Sequence, residues 1–199
     1  MKNHPAALVF SVAVVLFAAG CSLPQAQPDP TRFYVLTAPA AAVPVTDGAV
    51  IGLRNVEVAA YLRSRSLIVR QGEHEVEFRE FARWGEALDA GLARVLREAL
   101  LATGAAEQVV ATPFPLDQHR DFDVNVRVLA CEGGADGTVR FRAGWELWST
   151  GAGAEIVERG DYQSAGLTWD TRSEASLVAA LSQAVAGLGA EITAAVGRQ

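Results

Sequence analysis

Cys21 is the residue of this chain best placed for covalent chemistry, because Ala18, Ala19 and Gly20 precede it and it closes an uncharged run from Pro5 to Gly20. With Lys2 as a sparse positive start, the layout is that of a secretory signal with a cysteine at the cut site. Small residues before the cut fit a signal peptidase, and the thiol behind them would carry a diacylglycerol. This is the pattern of a bacterial lipoprotein signal, although Ala18 stands where a leucine is usual. An ordinary signal with an incidental cysteine is the weaker alternative. A membrane span fits poorly, since the run falls short of the roughly 20 apolar residues a bilayer needs.

The other chemistry-bearing residues are scattered. Asp117, His119, Asp121 and Asp123 resemble a metal-ligand set by type, yet two of them fall in a loop and the group reads as a solvated loop and strand edge. His4 lies within the signal and His74 at a hairpin. Ser149-Thr150-Gly151 is a turn, and no Gly-x-Ser-x-Gly nucleophile elbow occurs. Gly133-Gly134-Ala135-Asp136-Gly137 lacks the lysine and following helix of a phosphate loop and reads as a hairpin turn. The sequence offers no case for an enzyme, a metal or any cofactor. Cys131, left without a partner once Cys21 is acylated, is read as a small buried apolar residue, with an intermolecular disulfide as the sharper alternative.

These residues imply an organisation. Residues 1–20 read as a lipoprotein signal, residues 21–31 as the lipidated cysteine with a Pro-rich tether (Pro24, Pro28, Pro30), and residues 32–197 as one folded domain. Acyl chains anchor at about 0.8 kcal/mol per buried methylene, so a multiply acylated Cys21 would hold the protein on a bilayer as a peripheral protein. Ser22, where aspartate favours retention in the inner membrane, points to the outer membrane and its periplasmic face. An extended tether reaches about 30 Å at 3.1 Å per residue.

Half of the chain is apolar and its net charge is −6, which supports a sizeable core and argues against a nucleic-acid partner. Strand-forming patterns occur at Arg32–Thr37, Ala49–Val58, Ser66–Gln71 and His74–Glu80, the last two as a hairpin around Gly72. From Arg83 the period changes, and Trp84, Leu88, Leu92, Val95, Leu96, Ala99 and Leu100 mark a helix stopped at Thr103-Gly104. Phe122, Val124, Val126 and Val128 then share a strand face opposite Asp123, Asn125 and Arg127. Val139–Leu147 and Glu155–Gln163 continue the meander. Thr171-Arg172-Ser173-Glu174 reads as a capping box ahead of a stripe of Leu177, Leu181, Ala184, Leu188 and Ile192. The expected fold is α+β: a mixed or mostly antiparallel sheet of about eight strands with two long helices packed on one face.

Five apolar residues fit this core poorly. Tyr61 and Leu62 occupy a connection, Phe114 and Leu116 a proline-bounded segment, and Trp148 the polar face of its strand. Together they form candidate partner contacts, or else they line the seam between helices and sheet.

The run Leu67-Ile68-Val69-Arg70, Glu75-Val76-Glu77-Phe78 and Phe81-Ala82-Arg83-Trp84-Gly85-Glu86 resembles the signature of the ABC-type transport auxiliary lipoprotein family (PqiC-like). Phe33-Tyr34-Val35-Leu36, Tyr61-Leu62, the helix Leu88–Leu96, Asp121–Val126 and Ala143–Leu147 are similar as well. The chain departs from the family at Gly85-Glu86-Ala87, at Ala59, Ala60 and Arg63, and at Cys131, where an aromatic is common. The resemblance implies a noncatalytic lipoprotein that works with an MCE-domain protein and, indirectly, with ABC permease and ATPase subunits in moving phospholipid or other lipids between two membranes. Such a role would support envelope integrity. The chain has no nucleotide-binding loop, so ATP hydrolysis would fall to another subunit. A lipid-binding carrier lipoprotein, or an assembly factor for an outer-membrane machine, stands as the alternative, and a homo-oligomer stays open.

Overall fold

Alternation of Val124, Val126 and Val128 with Asp123, Asn125 and Arg127 makes a strand, and in the computed structural model that strand continues to Gly134 and becomes the spine of the sheet. The structure describes residues 27–38, 40, 46–151 and 153–199, of which Thr31–Gln199 forms one compact unit. The signal, Cys21 and most of the tether lie outside the described residues.

Among the described residues, nine strands and two long helices follow in order. They are β1 (Arg32–Tyr34), β2 (Ala49–Leu53), β3 (Glu57–Val58), β4 (Ser66–Arg70), β5 (Val76–Trp84), α1 (Leu88–Ala102), β6 (Ala106–Ala111), β7 (Phe122–Gly134), β8 (Val139–Ser149), β9 (Ile156–Gln163) and α2 (Glu174–Val196). A short 3-10 helix, Ala60–Arg63, links β3 to β4. The fold is α+β, with all nine strands in one mixed sheet.

One side of β7 pairs with β8 along nearly its whole length. Its other side is taken by three short parallel strands in succession: β2 beside Phe122–Val124, β3 beside Arg127 and Val128, and β4 beside Gly133 and Gly134. β6 lies parallel outside β2, and β1 parallel outside β5. Among the named strands of the described residues, β4–β5, β7–β8 and β8–β9 pair antiparallel. The sheet is thus more parallel than the meander pattern suggested, because its short strands return through crossovers that leave no local signature.

Both helices cover the face that carries Val124, Val126, Val128, Phe141, Trp145 and Leu147, all buried. They approach each other closely at Gly189, where a Cβ would sit 2.8 Å from the Ala99 methyl. α2 is long and apolar enough to cross a bilayer by composition, but it serves as a core helix, with Leu177, Leu181, Ala184, Leu188 and Ile192 all buried. Its buried Ser182 Oγ accepts from the Thr37 N–H (3.0 Å) and donates to the Val178 carbonyl (2.8 Å), tying the segment after β1 to the helix.

Three local expectations change. Trp84 ends β5 instead of opening a helix: its N–H donates to the Arg65 carbonyl (2.7 Å), and α1 begins only at Leu88. The stretch Ala49–Val58 divides into β2 and β3, each pairing with a different part of β7. The cap of α2 is Ser173 without a side-chain hydrogen bond, so Thr171 and Glu174 do not form the expected box.

Candidate functional site

On the sheet face turned away from the helices, the ladders of β7, β8 and β9 line up polar residues in two rows. Asn125 lies opposite Glu146 and Glu146 opposite Arg159; Arg127 lies opposite Gly144 and Gly144 opposite Asp161. Opposite charges across a ladder support each other. At Gly144 the row is interrupted, and a Cβ there would meet only Asp161 Oδ1 at 3.7 Å. The result is an open groove of about 960 Å³, floored by Gly144 and walled by Arg54, Glu57, Phe114, Arg127, Glu146 and Arg159.

One end of the groove is built around Asp123, which is buried at 4% exposure. Its carboxylate accepts from Arg54 Nη2 (3.0 Å) and from Arg120 Nε (2.8 Å). Gly52 makes this approach feasible, since a Cβ there would lie 2.2 Å from Asp123 Oδ1. The Arg120 guanidinium in turn lies over the Phe114 ring, 4.1 Å from its centroid, a cation–π contact that fixes the loop. Trp148 sits across the ladder from Asp123, half-buried, and its Nε1–H donates to Glu146 Oε2 (3.1 Å). Leu116 projects fully into solvent at 106% exposure. Phe114, Leu116 and Trp148 are therefore brought to one end of β7 and β8.

Tyr61 and Leu62 are not part of this surface. Leu62 is fully buried, because the 3-10 helix turns it into the core, and it drops out as a partner contact. Tyr61 is half-buried near the opposite end of β7, where its O–H donates to Glu132 Oε2 (3.0 Å) with the Leu129 carbonyl 3.2 Å away. Glu132 is 1% exposed and also accepts from Arg70 Nε (2.5 Å). Burial, then the neighbouring Glu132 charge, pushes the Tyr61 hydroxyl from 10.0 up to about 12. Tyr61 and Arg70 thus satisfy the buried Glu132, a polar network of the kind that fixes a fold.

The paper resemblance to a metal site dissolves into structural roles. Asp121 Oδ2 accepts from the Val50 N–H (2.8 Å), and His119 Nε2 lies 3.1 Å from Asp121 Oδ1 on the surface. Among the described residues no group of three or more His, Cys, Asp or Glu is placed to hold a metal. Cys131 is buried and free, and burial pushes its thiol from 9.0 up to about 12. The groove arginines Arg54 and Arg159 were not singled out by sequence. Their available signal was position alone, Arg159 on the alternating polar face of β9 and Arg54 just past β2.

The family model of the ABC-type transport auxiliary lipoprotein component matches residues 34–193, and the chain belongs to that family. The family is one of auxiliary components, which gives the chain an accessory role in transport. A crystal structure of protein XCC0632 from Xanthomonas campestris, of the DUF330 family, is similar over 82% of this chain and 93% of that one, with 16% identity and a TM-score of 0.68. A crystal structure of an uncharacterized protein covers 83% of this chain and 98% of its own, with 20% identity and a TM-score of 0.65. At these identities the likeness establishes the fold alone. The PelC dodecamer from Paraburkholderia phytofirmans is more distant, with 17% identity and a TM-score of 0.41 over 76% of this chain and 90% of that one. No curated protein matches the chain.

Proposed function

We propose that the chain is the noncatalytic, lipid-anchored outer-membrane subunit of an intermembrane lipid transport system, docking a periplasmic MCE-domain protein. The observation that carries this reading is the match to a transport auxiliary lipoprotein family across almost the whole folded part. Cys21 supplies the anchor on the periplasmic face of the outer membrane, and energy comes from ABC permease and ATPase subunits that this chain meets only indirectly. Phe114, Leu116 and Trp148, at the end of the charged groove, are the proposed partner contact: an apolar tip beside arginines and carboxylates suits the apolar-centre, polar-rim anatomy of a protein interface.

A lipid carrier is the weaker alternative. Carriage of an acyl chain needs an enclosed apolar cavity. The groove on this face is instead open, walled by Arg54, Arg127, Arg159 and acidic partners.

The test is co-purification from detergent-solubilised membranes with the MCE-domain protein of the same cell. Capture by the wild-type chain and loss of capture by Leu116→Asp would support docking. A wild-type chain that stays solitary would remove it, and native mass spectrometry finding bound phospholipid would favour the carrier.

A further inference from the structure

A second exposed surface lies at the opposite edge of the sheet and belongs to none of the above. Phe33, Val35, Phe78 and Phe81 are exposed at 64%, 50%, 46% and 48%. Strand register places Phe33 and Phe81 together. Phe33 is the parallel partner of Arg83, and alternation puts Phe81 and Arg83 on the face opposite the buried Ala82 and Trp84. Phe78 is exposed further along β5, beyond a shift of register in the β4–β5 pairing. Val35 follows, its Cγ1 only 3.1 Å from where a Cβ on Gly85 would stand. Contiguous exposed aromatics of this kind mark an interaction surface. β1 is also an edge strand, pairing with β5 alone among the described residues.

We propose that this β1–β5 patch seats on the phospholipid surface of the bilayer that holds the anchor, so that the domain is attached at two points, the acylated Cys21 and the Phe33–Phe81 edge. The inference rests on the lipid-anchor reading. Two observations favour a bilayer over a protein occupant. Residues 22–32 separate Cys21 from Phe33, and even fully extended they span no more than about 40 Å, so an anchored chain keeps this edge near the membrane. Arg83 is exposed on that face beside Phe33, and Arg32 and Arg65 are exposed on the flanking chain, with Glu77 and Glu80 as the acids of β5, in a chain whose net charge is −6. Aromatic rings among arginines suit the headgroup level of an anionic bilayer, and a basic or apolar second contact is what strengthens a lipid anchor.

The experiment uses the acylated chain carrying Val35→Cys, labelled with a polarity-sensitive fluorophore and reconstituted into vesicles of phosphatidylethanolamine and phosphatidylglycerol. Cys131 is buried and stays unlabelled. The expected result is a blue-shifted emission that lipids spin-labelled near the headgroup quench several-fold more than they quench the same label at Leu116→Cys. Phe33→Asp combined with Phe81→Asp, both at exposed sites, abolishes the shift while the chain still floats with the vesicles. Water-like emission from a floating chain overturns the inference and leaves the anchor intact. Emission that depends on protein density and ignores spin-labelled lipid also overturns it, in favour of contact between copies. Equal quenching at both positions overturns it as nonspecific adsorption. A chain that does not float removes the anchor and this inference together.

Discussion

Gly160 lies directly across the β8–β9 ladder from Trp145, and the indole fills the space a side chain at 160 would need: a Cβ there would be 2.6 Å from Trp145 Cε2. The same indole donates from Nε1 to Glu191 Oε1 (2.7 Å), which links the sheet to α2. Gly160→Ala must therefore displace the ring and loosen that link. Overpacking of this kind costs about 1–3 kcal/mol, read as a lower denaturant midpoint at unchanged slope.

Asp123 joins Arg54 and Arg120, and through Arg120 it holds Phe114. Asp123→Ala leaves two guanidiniums facing each other without their carboxylate. Because Arg54 is half-exposed, solvent softens the loss, and the expected destabilisation is about 1–3 kcal/mol, below that of a fully buried pair. Binding of the docking partner is expected to fall further than stability does, since the Phe114 loop loses its support. Urea denaturation and partner capture, measured on the same variant, separate the two effects.

Cys131 and Tyr61 give the fold an alkaline limit. Both groups have folded values raised to about 12, from 9.0 for the thiol and 10.0 for the phenol, with burial as the first cause. A raised value means that the folded state holds its proton longer than the unfolded chain. Their contribution is complete below pH 9 and is lost as pH rises toward 12. Cys131→Ala should flatten the decline most just above pH 9, where the unfolded thiol titrates ahead of the unfolded phenol. Chemical denaturation across this range checks it. In the folded, acylated chain a thiol reagent should find Cys131 only after denaturant is added.

Part of this architecture was readable from the residues alone. The β7–β9 meander and the α2 stripe declare themselves because one face is buried and the other wet, so a period of two or of 3.6 survives in the sequence. β6 left no such trace: its burial is irregular, and its parallel partner β2 is far away along the chain. Trp84 misled because it stands four residues before Leu88, a helical spacing, although the Gly85–Ala87 connection separates strand from helix. The alternation that gathers Phe81 with Phe33 spans too few residues to stand out, because the β4–β5 register shifts just before it. Of the candidate contacts, Phe114 and Leu116 were visible as apolar residues in a proline-bounded loop. The groove beside them needed three strands in register, which no local pattern carries.

Leu116 is the cleanest probe of docking because it supports nothing in the fold. Leu116→Asp should change stability by less than about 0.5 kcal/mol. If the tip is a central contact, capture of the MCE-domain protein should drop at least tenfold, about 1.4 kcal/mol. Phe114→Ala should weaken capture with a modest stability loss, because it also ends the Arg120 contact.

Acylation of the thiol at position 21 is the fact on which the membrane role depends, and intact mass of the chain purified from envelopes reads it directly. The account predicts a polypeptide starting at Cys21 and heavier than its residues by a diacylglycerol and a further acyl chain, with labelled palmitate incorporated and lost in Cys21→Ala. A chain of unmodified mass with a free thiol at Cys21, still sedimenting with membranes, would contradict it.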